Sequence, residues 1–416
     1  MIKKIALALS CSAALFAASA LAQDANLEKL GGFKTTGTPM MVPIPQTGEN
    51  AEALKAIAAK IKVPEGFKVS LYAVVPDARH MAVGPQGVVT YIGTRKEKAY
   101  TMTDRNKDGV ADDVKEFLPS VKMAVPNGMC FSKDGHLFVV EQNRVLWAPA
   151  AEFFYEGPDA AVFAIVPQGK LIPPEEESFN HTARTCRVGP DGRLYITLGQ
   201  PFNVPAPEKA DLYKQWGIGG VISIKTDGTD RQVEALGMRN PLGIDFSPKD
   251  KTMWVNDNQV DGMGDLIPAG ETNQVTAKGQ HFGFPWFGGG KTRTNEYKDT
   301  EPPAGHIFPA IEHDAHAADL GLAFYTGKSF PEKYRGGLFT AQHGSWNRTE
   351  PVGARVLFHS LKPDGTYDKT EVFADGWLNE NGEYLGRPVD VQFLRDGSML
   401  VSDDFAGAVW RISYGG

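Results

Sequence analysis

The sequence predicts an all-β fold, a six-bladed β-propeller, on three observations. The 416 residues include 45 Gly and 28 Pro, a composition that favours many turns and short strands over long helices. One β unit recurs six times along the chain. Segments near the two termini can supply the strands that complete one blade and close the ring, which removes exposed sheet edges.

The recurring unit consists of an alternating strand, a tight turn and a second strand. Gly, Pro, Asp and Ser supply the backbone geometry of the turn, and the alternation is expected to give each strand one buried face. A β unit repeated at a nearly fixed period is typical of a propeller, whose blades bury their faces against each other. The copies are HMAVGPQGVVTYIGT (80–94), GMCFSKDGHLFVVEQ (128–142), RTCRVGPDGRLYITLG (184–199), GIDFSPKDKTMWVNDN (243–258), GLAFYTGKSFPEKYRGGLFTAQHG (321–344) and VDVQFLRDGSMLVSDD (389–404).

The rest of the chain completes the expected organisation. GFKVSLYAVV (66–75) precedes the first copy and AGAVWRISY (406–414) follows the last, so the two segments can finish one blade. The propeller is expected to span residues 62–416, without a second domain. Residues 23–61 are expected to form a polar N-terminal arm and a short helix from about Glu49 to Lys60.

Residues 1–22 have the order of a secretory signal peptide. Lys3 and Lys4 precede an apolar run that ends in an A-x-A cleavage site at Ala22. A lipoprotein signal at Cys11 is an alternative, although the residues before this cysteine match it poorly. No other stretch approaches the roughly 20 apolar residues of a membrane span, so we expect a periplasmic or secreted protein.

The charge and the cysteines limit the partners. The formal net charge of −7 at pH 7 argues against nucleic acid or an anionic membrane as a partner. Cys130 and Cys186 occupy the same apolar position of two copies. They could pair in an oxidising compartment, but two small buried residues are the simpler interpretation. The chain has no C-x-x-C-H haem motif.

Ionisable and amide residues precede most copies, and in a propeller such positions converge on one end of the central channel. Four of the six copies bring an arginine there, which chance does not readily explain in a net-acidic chain. Guanidinium groups bind carboxylates in bidentate fashion, so the expected ligand carries several carboxylate or phosphate groups. The residues are Arg79, His80, Asn127, His181, Arg184, Arg239, Asn240, Asp319 and Arg387.

His181 is the strongest candidate for a catalytic base. An imidazole titrates near neutral pH, which suits the removal of a proton from an alcohol, and the nearby Arg184 would restrain protonation at rest. A histidine that is only hydrogen-bonded within a loop is the alternative. His343 lies at the end of the fifth copy, and Trp346 and Arg348 just beyond it could stack on a planar ring.

A series of motifs in the second half of the chain is more specific than the turns. The motifs are GMRNPLGIDF (237–246), VNDNQVDGMGDLIPAGETNQV (255–275), GQHFGFPW (279–286), AQHGSWNR (341–348) and GRPVDV (386–391). The series resembles the soluble sugar dehydrogenases that use pyrroloquinoline quinone (PQQ), the glucose/sorbosone and pyranose dehydrogenase group. The resemblance covers about residues 62–413.

The resemblance implies PQQ at the channel mouth and a Ca²⁺ ion bound to the quinone and to main-chain carbonyls. These carbonyls would be those of about Gln259 and Val260, in a turn where the family tends to have glycine. His181 would be the base, and Arg239 would be catalytic as well as cofactor-binding. The cofactor would be held by Arg79, Arg184, Arg239, Asn240, His343, Arg348 and Arg387.

The implied reaction is oxidation of a sugar or a related alcohol or aldehyde hydrate. His181 would remove the hydroxyl proton during hydride transfer, and Arg239 with Ca²⁺ would stabilise charge on the quinone oxygen. The electrons would leave to an external acceptor, a cytochrome or a quinone. A Ca²⁺-dependent sugar lactonase and a non-catalytic propeller that binds carbohydrate or protein stay open as alternatives.

Two acidic stretches are further metal candidates. TDRNKDGVADDV (103–114) has the spacing of a Ca²⁺ loop, but Lys115 stands where the last glutamate is expected. A structural Ca²⁺ and a plain solvated hairpin both stay open here. Another ion, or a loop cap, could use Asp261, Asp265 and Glu271. The candidate ligands of the first stretch are Asp104, Asn106, Asp108 and Asp112.

Overall fold

Six β-sheets follow one another along the chain in the computed structural model, which describes residues 43–157 and 160–415. Five sheets have four strands, and the third has a short fifth strand that pairs in parallel. The sheets confirm the prediction of a six-bladed propeller. The predicted signal peptide and the arm as far as residue 42 lie outside the described residues.

The blades are numbered in chain order. Blade 1 comprises β2 (Met81–Val83), β3 (Val89–Ile92), β4 (Ala99–Thr103) and β5 (Asp113–Phe117). Blade 2 comprises β6 (Gly128–Phe131), β7 (Leu137–Val140), β8 (Val145–Ala148) and β9 (Phe163–Val166). Blade 3 comprises β10 (Cys186–Val188), β11 (Leu194–Leu198), β12 (Gly220–Ile224), β13 (Gln232–Leu236) and β17 (Gln280–His281).

The remaining blades complete the ring. Blade 4 comprises β14 (Pro241–Phe246), β15 (Met253–Asp257), β16 (Gly270–Val275) and β18 (Ile311–His313). Blade 5 comprises β19 (Asp319–Phe324), β20 (Leu338–Gln342), β21 (Arg355–Leu361) and β22 (Tyr367–Ala374). Blade 6 comprises β23 (Pro388–Phe393), β24 (Met399–Asp403), β25 (Ala408–Tyr414) and β1 (Phe67–Val74).

The first two strands of each blade are the recurring unit of the sequence. The inner strands β2, β6, β10, β14, β19 and β23 each contact the next, and β23 contacts β2, so together they line the central channel. The ring closes in blade 6, where β1 pairs antiparallel with β25 from Phe67 and Tyr414 to Val74 and Ala408. The predicted use of both termini to finish one blade is therefore confirmed.

The prediction of one buried face per strand is wrong for the middle of the blades. Every residue of β3, β7, β12, β20 and β24 is buried. The blades stack face to face, so both faces of a central strand are covered by neighbouring blades. Exposed residues recur in outer strands such as β22.

Two helices lie outside the blades in the described chain. The predicted N-terminal helix is α1 (Glu49–Ala58), and its buried Leu54 joins an apolar cluster formed mainly by blades 5 and 6. The unpredicted α2 (Ala210–Trp216) lies between β11 and β12 and ends at Gly217, whose φ of 70° provides a left-handed C-cap. Short 3₁₀ turns occur at Pro174–Glu176, Pro207–Lys209 and Glu332–Tyr334. No described helix is long and apolar enough to cross a membrane.

A disulfide joins Cys130 in β6 to Cys186 in β10, the inner strands of blades 2 and 3, with their Cα atoms 5.8 Å apart. Both side chains are buried. The interpretation of two unlinked buried cysteines is therefore wrong. The repeat places the two cysteines at equivalent positions of adjacent blades. The sequence alone did not show that these positions are close enough for a disulfide.

The double variant Cys130→Ala/Cys186→Ala should lose about 2–4 kcal/mol of unfolding free energy, because the bridge closes a loop across a sequence separation of 56 residues. Denaturant unfolding of both proteins measures the difference. Reductant should destabilise the parent chain and leave the double variant unchanged. Equal unfolding free energies without reductant would show that the bridge does not form or does not stabilise the fold.

Candidate active site at the channel mouth

The loops before the inner strands and after the second strands meet at one end of the channel and enclose a cavity of about 340 Å³. This size lies at the lower end of the range for small-molecule sites. The predicted site residues on its wall are Arg79, His181, Arg239, Asn240, Gln259 and His343. Predicted cofactor or carbonyl residues outside its lining are Arg184, Val260, Arg348 and Arg387.

His181 lies on the loop before β10, in a left-handed backbone conformation with φ of 49°. Its Nδ1 is hydrogen-bonded to the carbonyl oxygen of Gln200. Because a carbonyl can only accept, Nδ1 carries the proton and Nε2 has a lone pair. No described residue is hydrogen-bonded to Nε2, so this atom is available as a base.

The surroundings of His181 keep the imidazole neutral. Burial and the charge of Arg239 lower the pKa of His181 to about 3, although the bond to Gln200 opposes the shift. The sequence suggested that Arg184 keeps His181 unprotonated, but Arg184 lowers the pKa of His181 less than burial and Arg239 do. A neutral imidazole at ordinary pH is the form that accepts a proton.

We expect His181 to stay neutral from pH 5 to pH 8 in the cofactor-free protein. A base with a folded-state pKa of about 3 becomes protonated only as the pH falls towards that value. Nitrogen NMR of ¹⁵N-histidine protein, assigned with the His181→Gln variant, measures this directly. The urea-unfolded chain is the control and should titrate near 6.5. A His181 midpoint between pH 6 and pH 7 in the folded protein would contradict the assignment.

The loop of His181 packs closely on blade 3 because residue 199 has no side chain. A Cβ at Gly199 would lie 2.6 Å from Oδ1 of Asn240 and 2.9 Å from Cβ of His181. Asn240 is fixed from the other side, since its N–H donates to Oδ1 of Asp257 at 2.7 Å. The Gly199 backbone therefore sets the distance between the candidate base and Asn240.

Oxygen atoms without a hydrogen-bond partner mark the part of the wall where a cation fits. Oδ1 of Asn240 and Oε1 of Gln259 are buried and accept no hydrogen bond. The main-chain carbonyls of Gln259 and Val260 also accept none within the described chain. Uncompensated oxygens are costly to bury, and oxygen ligands of this kind suit Ca²⁺. The residues present therefore fit the implied ion.

Three arginines lie on the cavity wall. Nη2 of Arg239 contacts Oδ2 of Asp261 at 2.6 Å, and Nη1 of Arg79 is paired with Asp404. Arg95 has no hydrogen bond or ion pair to any residue in 43–157 or 160–415. The sequence pattern did not indicate Arg95, because this residue directly follows the first copy and the four arginines in repeat register precede or begin their copies.

His343 and Arg79 share one carboxylate. Nε2 of His343 lies 2.7 Å from Oδ1 of Asp404, and Arg79 binds the other oxygen. Burial lowers the pKa of His343, and Asp404 opposes this shift. Burial also raises the pKa of Asp404, but the charges of Arg79 and His343 outweigh it and bring this pKa below its usual range. Asp404 therefore fixes both predicted cofactor residues.

The other predicted arginines hold main-chain carbonyls. Arg184 donates to the carbonyls of His181 at 2.9 Å and Gly199 at 3.0 Å. Arg387 donates to the carbonyl of His343 at 3.0 Å, and Arg348 to those of Ala315 and Glu350. Arg184 and Arg387 thus orient the loops of the two histidines, and their direct contact with a cofactor stays a prediction.

The carboxylates of the first acidic stretch accept hydrogen bonds from groups of their own loop. Oδ2 of Asp104 accepts from the N–H of Gly109 at 2.9 Å. Asp108 and Asp112 likewise accept hydrogen bonds from N–H groups of this loop, and Asn106 binds both carboxylates. No group of three or more His, Cys, Asp or Glu residues in the described ranges is placed to hold a metal. Oδ1 of Asp104 is buried without a hydrogen-bond partner, and a Ca²⁺ ion that uses Asn106 and a main-chain carbonyl as well stays a prediction.

The three acidic residues of the second stretch have different partners. Asp261 pairs with Arg239, and Asp265 accepts from the N–H of Thr349 at 3.0 Å. Glu271 lies opposite Asp257 across β15 and β16, and burial together with the Asp257 charge raises the pKa of Glu271 to about 8. The loop-capping alternative fits Asp265, and a shared ion for the three residues does not fit.

Comparison with known proteins finds a family that matches the middle of the chain. Residues 171–345, which include His181 and Arg239, match the family described as glucose/sorbosone dehydrogenase. The match confirms the resemblance that the sequence motifs predicted. Residues 171–345 therefore resemble this family, and the fold shown for the chain is a six-bladed β-propeller.

One relative and three solved structures resemble most of the chain. An uncharacterized protein of Borreliella burgdorferi is 28% identical over 379 residues, 87% of this chain and 93% of that protein. The PQQ domain of pyranose dehydrogenase from Coprinopsis cinerea, in its holo form, has a TM-score of 0.66 at 17% identity, covering 85% and 97% of the chains. A calcium structure of a carbohydrate-active enzyme from Trichoderma reesei gives 0.68 at 15%, covering 85% and 97%. The apo soluble aldose sugar dehydrogenase from Escherichia coli gives 0.57 at 17%, covering 84% and 99%. These likenesses show the fold.

Proposed function

We propose that this protein is a periplasmic quinoprotein that oxidises a sugar or a related alcohol or aldehyde hydrate with PQQ and Ca²⁺. The observation that carries the proposal is His181, whose Nδ1 proton is held by a carbonyl while Nε2 is left available on the wall of an arginine-lined cavity. The disulfide and the predicted signal peptide support export to an oxidising compartment.

The cavity wall offers partners for both implied groups. Arg95, Arg79 and Arg239 would bind the carboxylates of PQQ, and Asn240, Gln259 and Val260 would offer oxygens to Ca²⁺. Bound together, PQQ and Ca²⁺ would supply a quinone that takes up a hydride equivalent and a Lewis acid that polarises it. The similar Coprinopsis structure is the holo form of a PQQ domain, and the similar Trichoderma structure is a calcium structure, which supports the pairing.

The chain's own residues would position the sugar and move one proton. Nε2 of His181 would accept the hydroxyl proton, and the Gln200 carbonyl would stabilise the imidazolium that forms. Arg239 would stabilise negative charge that develops next to it. Phe179 and Trp346, with 88% and 74% of their surfaces exposed at the mouth, would pack against the sugar ring and exclude water.

The composition of the wall favours this reaction over lactone hydrolysis. A Ca²⁺-dependent lactonase needs carboxylates that bind a channel metal, whereas Asp261 on the cavity wall and Asp404 beside it are each paired with an arginine. A propeller that only binds carbohydrate could use the same nitrogen as a hydrogen-bond acceptor, so an activity assay must separate binding from oxidation.

Reconstitution tests the proposal. Cofactor-free protein would be mixed with PQQ and Ca²⁺ and assayed for dye reduction with a panel of aldoses, sugar alcohols and aldehydes. We expect sugar-dependent reduction that requires both additions and stops when EGTA is present during loading. Parallel assays with sugar lactones should show no hydrolysis. Lactone hydrolysis with Ca²⁺ alone, or tight PQQ binding without oxidation of any substrate, would overturn the proposal.

A further inference from the structure

A second cavity of about 360 Å³ lies beside the channel mouth. It is called the side cavity here and is enclosed by the β11–β12 connection, which contains α2, and by the segment that follows β16. Gln200 lines the side cavity, and its carbonyl holds His181, which lies on the wall of the channel-mouth cavity. The apolar wall of the side cavity includes Tyr213, Ile218, Leu236, Met238, Phe284 and Trp286.

The unpaired polar groups of its aromatic wall are both hydrogen-bond donors. Nδ1 of His281 accepts from the N–H of Gly283 at 3.1 Å, so the neutral ring carries its proton on Nε2, which has no partner in the described chain. Nε1 of Trp286 is buried without a partner. The hydroxyls of Tyr213 and Tyr297 are already hydrogen-bonded within the chain. Apart from the exposed Asp211 and Lys214 of α2, the side chains of this wall therefore offer only donors, and a ligand that accepts hydrogen bonds matches them.

The rings that carry these donors are held in place. A Cβ at Gly237 would lie 2.4 Å from Nδ1 of His281, so the imidazole packs directly on the backbone two residues before Arg239. Trp286 makes edge contacts with His281 and Tyr297, with ring centroids 6.0 Å and 5.4 Å apart. A wall of fixed rings and few polar atoms is typical of a preformed small-molecule site.

We propose that the side cavity binds a quinone as the electron acceptor of the enzyme, an inference that rests on the proposed function. The carbonyl oxygens of a quinone accept hydrogen bonds from Trp286 and His281, and its flat ring packs against the aromatic wall. A sugar fits less well, because its hydroxyls need acceptors. The quinone gains two electrons and two protons and becomes a hydroquinone, and the sugar loses the same two hydrogens.

Binding is tested without PQQ. The cofactor-free full chain would be titrated with 2-methyl-1,4-naphthoquinone by calorimetry, and we expect one molecule bound per chain. Trp286→Phe should weaken binding by about 3- to 10-fold, the effect of one lost hydrogen bond. Ala210→Trp fills the cavity from the exposed start of α2 and should abolish binding. Gln215→Trp is the matched control, because Gln215 is an exposed residue of the same helix outside the lining.

The outcomes separate this site from the proposed function. Absent binding, or equal affinity in Ala210→Trp and the parent, would overturn the side-cavity proposal. In PQQ-loaded protein, Ala210→Trp should raise the KM for the naphthoquinone and leave turnover with ferricyanide unchanged, and an unchanged KM would overturn the acceptor role. If quinone binds as expected but no loaded protein oxidises a sugar with ferricyanide, the proposed function fails while the binding site stands.

Discussion

Replacing His181 with glutamine should lower the turnover of PQQ-loaded protein by about 10²- to 10⁴-fold, the effect of losing a general base. Glutamine is of similar size, and its amide can still donate to the Gln200 carbonyl that now receives Nδ1–H. It has no basic nitrogen, so proton removal is lost while the cavity keeps its shape. PQQ affinity should therefore change little. Steady-state turnover at saturating PQQ, together with a PQQ binding titration, gives both quantities.

A matched substitution controls for loss of any histidine. His136 lies in the turn between β6 and β7, remote from the mouth loops, and His136→Gln should keep parental turnover. The defect of His181→Gln should also be partly relieved by added imidazole, which a purely structural role would not predict. Parental turnover in His181→Gln with PQQ bound would remove His181 from the mechanism.

Asp404→Ala should destabilise the folded protein by about 3–5 kcal/mol, as expected when one partner of a buried ion pair is removed. Arg79 has only 6% of its side chain exposed and Asp404 19%, so the guanidinium would keep its charge without a carboxylate. His343 would lose the same partner. Urea unfolding of the parent and the variant measures the loss.

The pH dependence gives this prediction a second readout. Because the folded-state pKa of Asp404 is depressed, its contribution is complete above the unfolded aspartate pKa of about 3.9 and is lost as the pH falls below it. The destabilisation should therefore shrink in acid. Lys55→Ala, which breaks an exposed pair with Glu52 at 2.8 Å, is the control and should cost no more than about 0.5 kcal/mol. Equal losses in the two variants would show that Arg79 does not depend on Asp404.

The propeller could be predicted because each copy has its own turn chemistry and alternation. These local patterns located the first two strands of every blade, and the terminal segments indicated β1 and β25. These local patterns could not predict which strand residues are exposed. Burial of both faces in β7 and β20 follows from blade stacking, which no single strand encodes.

The candidate site could be predicted as a set of loop positions, and less well as a set of side-chain directions. Register within the repeat correctly brought Arg79, His181 and Arg239 to one cavity. The same register predicted Arg184 and Arg387, whose guanidinium groups instead hold carbonyls. The repeat determines which loop residues lie at the channel mouth. The direction of each side chain depends instead on the partner that lies nearest to it in space.

Carboxylate partners were the least predictable feature of the site. Asp404 lies 325 residues after Arg79 in sequence and pairs with it only because blade 6 closes against blade 1. Asp261 was expected to serve a metal or a cap and instead pairs with Arg239. These long-range pairs decide which arginines are already neutralised, and Arg95 is the cavity arginine without such a partner in the described chain.

The most direct measurement of the central claim is a single-turnover experiment without an electron acceptor. PQQ-loaded protein would be mixed anaerobically with an excess of each aldose while the absorbance of the bound quinone is followed. The account predicts that at least one aldose reduces one equivalent of quinone per chain, and that His181→Gln does so about 10²- to 10⁴-fold more slowly. Quinone that binds fully but stays oxidised with every sugar, or is reduced equally fast in the variant, would contradict it.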